Sequence, residues 1–294
     1  MTGLGMVITA MVTPFKADGS MDYKKAAELA EYLADNGSDG IVVHGTTGES
    51  PTLTHEEEYE LYRVVKKAVG GKIKVIAGTG SNSTATSIKS TKEAEKIGVD
   101  GIMIVVPYYN KPSQEGMYRH FEAVAKSTKL PIIIYNIQGR TGVNMTADTV
   151  ARLAKINNIV GIKEASGMLE QVAEIRAKTP INFVIYSGDD DKTLDVLKRG
   201  GHGVISVASH IAGKEIKKMC EAFHAGNIEE AEGINQKLAP LFKVLFITSN
   251  PTPVKTALAM IGHPVGGLRL PLIETNDSEK EQIRKVLKDL NYIK

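Results

Sequence analysis

Short apolar runs alternate with longer amphipathic stretches along most of the chain. The runs are rich in β-branched and other apolar side chains, which is typical of strands buried on both faces of a parallel sheet. The predicted strands cover residues 6–12, 40–44, 73–77, 101–106, 131–135, 159–164, 182–187 and 203–207.

Between these runs, apolar residues recur three and four positions apart, the spacing of one helix face. The segment 23–36 has this pattern, and Gly37 follows it as a helix stop. The next helix is predicted to begin after Thr54, because Glu57 completes a capping box with it. Further helices are predicted near residues 84–97, 117–125, 146–155, 169–178 and 192–198.

Eight strand–helix units within about 225 residues favour a closed (β/α)₈ TIM barrel, with an open doubly wound sheet as the alternative. Beyond residue 225 the strand pattern stops, and helices are predicted near residues 228–246, 254–261 and 278–290. We therefore expect a barrel domain at residues 1–225 and a small helical domain at residues 226–294.

Charge and cysteine content exclude several classes of protein. The 36 basic and 34 acidic residues leave a net charge of +2 without a basic block, so neither nucleic acid nor a membrane surface is indicated as a partner. The single Cys220 excludes an intramolecular disulfide and is expected to be a packed thiol. We expect a cytoplasmic protein, because no secretory signal or long apolar stretch is present.

Lys163 stands at the end of a buried apolar strand and is the first candidate for chemistry. Burial among apolar neighbours disfavours the charged form of an amine, which frees a nucleophile suited to a Schiff base with a ketone. The alternative is a structural lysine that pairs with Glu164 or caps the strand. In a barrel the active site lies at the C-terminal strand ends, so other candidates should gather there.

Several polar residues follow other predicted strands. Tyr135 could transfer protons if neighbouring hydroxyls, for which Thr46 and Tyr109 are candidates, relay them. Arg140 lies in a Gly-containing loop and could bind a carboxylate, although a solvated surface arginine is the alternative. Thr47 and the amides of the turn at residues 45–48 could bind a second carboxylate, unless this is only a tight turn.

Metal and phosphate chemistry are both disfavoured. The seven histidines include no pair two or four positions apart, and the run Asp189, Asp190 and Asp191 is more typical of a solvated helix start. The segments after the last two strands lack a Gly-rich phosphate cradle, which favours a carboxylate substrate. We expect neither a metal nor another cofactor.

These motifs together resemble the dihydrodipicolinate synthase family, one of the pyruvate-dependent Schiff-base aldolases. The resemblance covers essentially the whole chain. It is carried by residues 45–50 (GTTGES), 107–112 (PYYNKP), 135–142 (YNIQGRTG), 161–165 (GIKEA), 187–190 (SGDD), 250–255 (NPTPVK) and 268–272 (LRLPL).

The resemblance implies an enzyme of lysine and diaminopimelate biosynthesis that condenses pyruvate with L-aspartate 4-semialdehyde through a Schiff base. It also implies a homotetramer built as a dimer of dimers, in which Tyr109 enters the neighbouring subunit's site. The implied roles are Lys163 for the Schiff base, Tyr135, Thr46 and Tyr109 for proton relay, Thr47 for the pyruvate carboxylate, Arg140 for the semialdehyde carboxylate, and the backbone of Gly188 and Ile205 for the pocket lining.

Two positions depart from the family pattern. Gln138 stands where the family usually has proline, which leaves the shape of the Arg140 loop open. Glu58 and Thr86 replace a histidine and a glutamate that are typical of lysine-inhibited members, so we expect weak or absent lysine feedback. Two alternatives to the main hypothesis are an aldolase for sugar acids, which would need a polyol pocket, and a noncatalytic barrel that senses a keto acid.

Overall fold

The computed structural model describes residues 3–294. Eight parallel strands form a closed barrel, and their order around the barrel is their order along the chain. The strands are β1 (Val7–Ala10), β2 (Gly40–Val43), β3 (Lys74–Gly78), β4 (Gly101–Val105), β5 (Ile132–Asn136), β6 (Ile159–Glu164), β7 (Val184–Ser187) and β8 (Gly203–Ser206). The predicted barrel is confirmed, and the open sheet is wrong.

Helices connect the strands and continue after the last one. They are α1 (Tyr23–Asp35), α2 (His55–Val69), α3 (Thr84–Ile97), α4 (Gln114–Ala125), α5 (Gln138–Thr141), α6 (Ala147–Leu153), α7 (Leu169–Lys178), α8 (Thr193–Lys198), α9 (Ser209–His224), α10 (Ile228–Val244), α11 (Thr252–Met260) and α12 (Asp277–Asp289). The C-terminal helices agree with the expected pattern. The division into domains at residues 1–225 and 226–294 remains a prediction.

The backbone groups into two compact units. The first contains residues 3–6 and Lys74–Ile205, and the second contains Val7–Ile73 and Ser206–Lys294.

In the first unit, β5 and β6 form the buried centre around which the candidate site is built. All five residues of β5 are buried, and its register places Tyr135 beside Lys163 of β6. Gly161 allows β6 and β7 to approach closely, because a Cβ there would lie 2.4 Å from Cγ2 of Val184. Gly161 thus permits the register in which Lys163 lies opposite Tyr186 of β7.

In the second unit, local signals define the helix ends. The capping box is present: the Thr54 side chain accepts from the Glu57 amide, and the Glu57 carboxylate accepts from the Thr54 amide. Gly37 follows α1 with φ of 91°, and a Cβ there would lie 2.7 Å from the carbonyl carbon of Gly213. The predicted helix stop therefore also permits contact with the backbone of α9.

Cys220 packs in α9 as expected for a structural thiol. Its side chain is buried, and burial raises the pKa of the thiol to about 12.

Within residues 3–294, no helix has both the length and the apolar character needed to cross a bilayer.

Candidate active site

Lys163 lies near the C-terminal end of β6 and is 5% exposed. Its Nζ lies 4.3 Å from the centroid of the Tyr135 ring, on the neighbouring strand β5. The ring face stabilises a positive charge at this nitrogen. Among residues 3–294, no carboxylate oxygen lies within 4.0 Å of Nζ, so the amine is buried without an ion pair.

Gly188, which follows β7, leaves room beside this amine. A Cβ at residue 188 would lie 2.5 Å from Cβ of Ala165 and 3.2 Å from Cε of Lys163. The Gly188 amide donates to the Glu164 carbonyl at 2.8 Å, which fixes the backbone there. Any larger residue would occupy the space next to the lysine.

Asp189 adds a negative charge to the same region. Burial raises the pKa of its carboxyl, while the positive charges of Lys163 and Arg140 oppose that shift. Ser187 donates its hydroxyl proton to the Asp189 carbonyl at 2.7 Å. The expectation that the whole acidic run is solvated is wrong, because Asp190 is 3% exposed and only Asp191 is exposed to solvent.

Glu164 occupies the opposite face of β6 from Lys163, as adjacent strand residues must. Its carboxylate accepts from the side-chain amides of Asn136 at 3.1 Å and Gln171 at 3.1 Å, and from the Ser166 amide at 2.8 Å. Burial raises the pKa of this carboxyl, and these donors oppose the shift. The structural alternative, a pair between Lys163 and Glu164, is therefore wrong.

Arg140 is exposed in the single turn of α5. The turn is closed by Gly142, whose amide donates to the Gln138 carbonyl at 2.9 Å and whose φ is 76°. Asn136 holds the base of the loop, because its side chain donates to Asn144 Oδ1 at 2.8 Å and accepts from the Met145 amide at 3.0 Å. Gln138 thus begins a helical turn where the family usually has proline.

Tyr109 lies in the loop after β4, next to the Arg140 loop. Its amide donates to the Thr141 carbonyl at 3.4 Å, and the residue is 88% exposed with φ of 72°. A left-handed conformation is costly for a tyrosine and is typical of functional loops. Ile205, the other predicted lining residue, is buried near the end of β8.

In the second unit, the turn after β2 carries Thr46 and Thr47. Thr46 is half-buried, and its carbonyl accepts from the Glu49 amide at 3.1 Å. Thr47 is 4% exposed, and its hydroxyl accepts from the Asn250 side-chain amide at 2.9 Å. Thr13 secures the turn by donating its hydroxyl proton to the Gly48 carbonyl at 2.6 Å.

Glu49 follows this turn and forms a buried ion pair with Lys255 of α11. Its Oε1 lies 2.6 Å from Nζ of Lys255. Lys255 also donates to the Gly267 carbonyl at 2.7 Å, and Glu49 accepts from the Arg269 amide at 3.0 Å. Burial lowers the pKa of Lys255, and Glu49 opposes this shift. Segments after residue 249 therefore hold the turn after β2 in place.

Glu58, one of the two departures tied to lysine feedback, is buried in α2 of the second unit. Its carboxylate contacts His55 Nδ1 at 2.9 Å and accepts from the Tyr62 hydroxyl at 2.9 Å. Burial, followed by the charge of Glu58, raises the pKa of Tyr62.

Within the described residues, groups of three or more histidine, cysteine or acidic side chains placed to hold a metal ion are absent.

The structure brings Lys163, Tyr135 and Gly188 together and places Tyr109 beside the Arg140 loop. Sequence reasoning missed the contact of Asn250 with Thr47 and the ion pair of Lys255 with Glu49. The only sequence signal for either was the segment NPTPVK at residues 250–255, which had no assigned role.

A model of the Dihydrodipicolinate synthetase family matches residues 3–290. The chain belongs to this family. It is 58% identical over 289 residues to 4-hydroxy-tetrahydrodipicolinate synthase of Moorella thermoacetica, covering 98% of this chain and 99% of that protein. This match and the closed barrel agree with the resemblance inferred from the motifs.

Solved structures give the same result. The dihydrodipicolinate synthase of Cyanidioschyzon merolae with lysine bound superimposes with a TM-score of 0.97 at 54% identity, covering 99% of both chains. A monomeric dihydrodipicolinate synthase variant superimposes with a TM-score of 0.97 at 42% identity, covering 99% of this chain and 98% of that one. The fold is therefore shared by a relative that is a monomer.

Proposed function

We propose that this chain condenses pyruvate with L-aspartate 4-semialdehyde to give 4-hydroxy-tetrahydrodipicolinate, in lysine and diaminopimelate biosynthesis. The observation that carries the proposal is the buried amine of Lys163 over the Tyr135 ring, without an ion-pair partner in residues 3–294. Membership of the Dihydrodipicolinate synthetase family supports the choice of substrates.

In this reaction the Lys163 amine adds to the C2 carbonyl of pyruvate, and loss of water leaves an iminium. The iminium nitrogen accepts the electron pair that remains when the C3 methyl loses a proton. The resulting enamine carbon adds to the aldehyde carbon of the semialdehyde. The amine of the semialdehyde then displaces Nζ from C2, which closes the ring and returns the free lysine.

Proton transfers in this sequence are assigned to Tyr135, with Thr46 and Tyr109 as the relay. Tyr135 is buried against Lys163, which supports this role because the substrate carbon and oxygen atoms that exchange protons would be attached to or near the lysine nitrogen. A phenol works near neutral pH only when neighbouring hydroxyls share the proton. The exposure and left-handed backbone of Tyr109 support a role beyond packing for that residue.

The two substrate carboxylates are assigned to Thr47 and Arg140. Thr47 follows β2, and in a parallel barrel all strands open their C-terminal ends on the same face. Arg140 is exposed on a loop whose base is held by Asn136, so its guanidinium is available to a ligand. The backbone of Gly188 and Ile205 is assigned to the lining of the substrate pocket.

We further propose that the chain forms a homotetramer built as a dimer of dimers. Tyr109 supports this idea, because a strongly exposed tyrosine in a strained conformation gains stability when a second subunit covers it. The cytoplasmic location expected from the sequence is also part of this proposal.

The proposal is tested by reducing the protein with borohydride in the presence of pyruvate and locating the adduct by mass spectrometry. We expect a pyruvate-dependent adduct on Lys163 and none on Lys255, the buried lysine that is paired with Glu49. Absence of an adduct at Lys163 would refute the Schiff-base mechanism.

Substrate choice needs a second measurement. A coupled assay should give turnover with L-aspartate 4-semialdehyde and little with sugar-acid aldehydes, because the assigned contacts are to carboxylates and not to hydroxyls. Trapping of pyruvate without turnover of either aldehyde would instead support a keto-acid sensor.

A further inference from the structure

Asn250 lies in the second unit, two residues before α11, and is 6% exposed. Its side-chain nitrogen donates to the hydroxyl oxygen of Thr47 at 2.9 Å, across a sequence separation of 203 residues. Thr47 is itself buried in the turn after β2. The contact therefore joins a residue without an assigned role to one that is proposed to bind substrate.

The direction of this hydrogen bond determines what Thr47 can do. A hydroxyl has one proton to donate and two lone pairs that accept. Because the Thr47 oxygen already accepts from Asn250, its proton is directed away from the amide. A carboxylate oxygen only accepts, so the proton that it needs is the one that this arrangement leaves available.

The fold itself gains little from this amide. Within residues 3–294, the Oδ1 atom of Asn250 is buried without a hydrogen-bond partner. A buried polar atom left unpaired costs free energy of folding, and one hydrogen bond to a neutral hydroxyl offsets only part of it. Stability does not account for an asparagine at this position.

The turn that carries Thr47 is also held without Asn250. Thr13 donates to the Gly48 carbonyl at 2.6 Å, and the ion pair of Glu49 with Lys255 secures the next residue at 2.6 Å. Removal of the amide therefore leaves the backbone of the turn in place and changes only the direction of the Thr47 hydroxyl.

We propose that Asn250 is a positioning residue, which orients the Thr47 hydroxyl so that its proton points to the carboxylate of the keto acid. This inference rests on the proposed function, in which Thr47 binds that carboxylate. It assigns the C-terminal segment a part in substrate recognition.

The test compares Asn250→Ala and Asn250→Asp with the unmodified protein. For Asn250→Ala we expect the KM for pyruvate to rise roughly tenfold, since the Thr47 proton is no longer held in the direction of the carboxylate. The kcat and the KM for the aldehyde should stay within about twofold, because the transferred groups do not contact this amide. The melting temperature should not fall, since a half-satisfied buried amide is removed.

Asn250→Asp provides a readout that a structural role would not change. A carboxylate accepts only, so it takes the Thr47 proton and adds a negative charge near the substrate. The KM for pyruvate should rise further than in Asn250→Ala, and it should improve as the pH is lowered and the new carboxylate becomes protonated. Thr256→Val, which removes a hydroxyl from α11 that contacts Thr252 and Thr275, is the matched control and should leave KM unchanged.

A double variant separates this inference from the proposed function. In a Thr47→Val background, Asn250→Ala should add no further increase in KM, because both changes remove the same hydrogen bond. Independent effects of the two substitutions, or a lower melting temperature with unchanged KM, would overturn the positioning role. Failure of the unmodified protein to form a borohydride-trapped adduct at Lys163 would instead overturn the proposed function.

Discussion

Lys163 and Lys255 are both buried lysines, but their surroundings differ in one respect. They are 5% and 3% exposed, and their Nζ atoms lie 4.3 and 4.4 Å from the ring centroids of Tyr135 and Phe15. Lys255 has a carboxylate, Glu49, at 2.6 Å, and in residues 3–294 Lys163 has none within 4.0 Å. Burial and an aromatic face are therefore common to both lysines, and the ion pair is what separates Lys255 from Lys163, the lysine proposed to be the nucleophile.

The largest expected difference between the two lysines is in activity. Lys163→Met should lower kcat/KM by at least about a thousandfold, because the covalent intermediate cannot form. Its melting temperature should not fall, since the substitution removes a buried amine that has no ion-pair partner in the described chain. A large residual activity of Lys163→Met in steady-state assays would contradict the proposed difference between the two lysines.

The reverse result is expected for Lys255→Met. Removal of the amine leaves the Glu49 carboxylate buried without its partner, which should lower the free energy of unfolding by about 3 kcal/mol. Urea denaturation measures this loss, and the double variant with Glu49→Gln should recover part of it. If Lys255→Met lost activity without losing stability, Lys255 would have to be regarded, like Lys163, as a residue that acts in the reaction and not in stability.

Acid should act on the second unit, which also contains Lys255, through a buried histidine. His210 accepts from the Val12 amide at 3.1 Å and donates to the Val207 carbonyl at 2.8 Å, and burial lowers its pKa from 6.5 to about 4. Below pH 6.5 the unfolded chain therefore binds a proton that the folded chain does not. We expect a loss of roughly 3 kcal/mol of stability between pH 6.5 and 4, at ~1.36 kcal/mol per unit.

Unfolding free energies measured across this pH range provide the check. His210→Asn should flatten the pH dependence, although it lowers stability at neutral pH. His224→Asn, an exposed position on the same helix, should leave the slope unchanged. An equal slope in His210→Asn would show that another group, such as the buried His120, controls the acid response.

The comparison can be extended to free lysine, a ligand whose ammonium group also needs a carboxylate partner in order to bind. Thr86 carries no charge where lysine-inhibited relatives typically have glutamate, and Glu58 is already bonded to His55 and Tyr62. Without a carboxylate at residue 86, the ammonium of lysine has no charged partner there, which costs about 2 to 5 kcal/mol of binding for a buried pair. Initial rates should therefore show no substantial inhibition at submillimolar lysine.

A designed change sharpens this last prediction. Thr86→Glu should increase sensitivity to lysine, and Ala85→Glu, at the exposed neighbouring position, should not. Substantial inhibition of the unmodified protein at submillimolar lysine would contradict the prediction of weak or absent feedback.

The barrel could be predicted from the sequence because its eight strands and its longer helices each have a local pattern. The capping box at Thr54 and the position of Lys163 at a strand end also follow from a few neighbouring residues. The pairing of Lys163 with Glu164 could have been rejected in the same way, since adjacent strand residues face opposite sides.

Contacts between distant segments could not be predicted in this way. Asn250 and Thr47 are 203 residues apart, and neither has a local pattern that indicates the other. The turn of α5 was missed as well, because four residues are too few to show helical periodicity. Whether Tyr109 and Arg140 have their proposed roles stays a prediction.

The hydrogen bonds at the base of the Arg140 loop have a consequence for how such an enzyme can change. Asn136 ties Asn144 and Met145 to β5, and Glu164 ties Asn136 to β6. The loop between these anchors can therefore exchange sequence, and even length, without disturbing either strand. New aldehyde specificities can arise here by loop replacement while the lysine and its strand remain as they are.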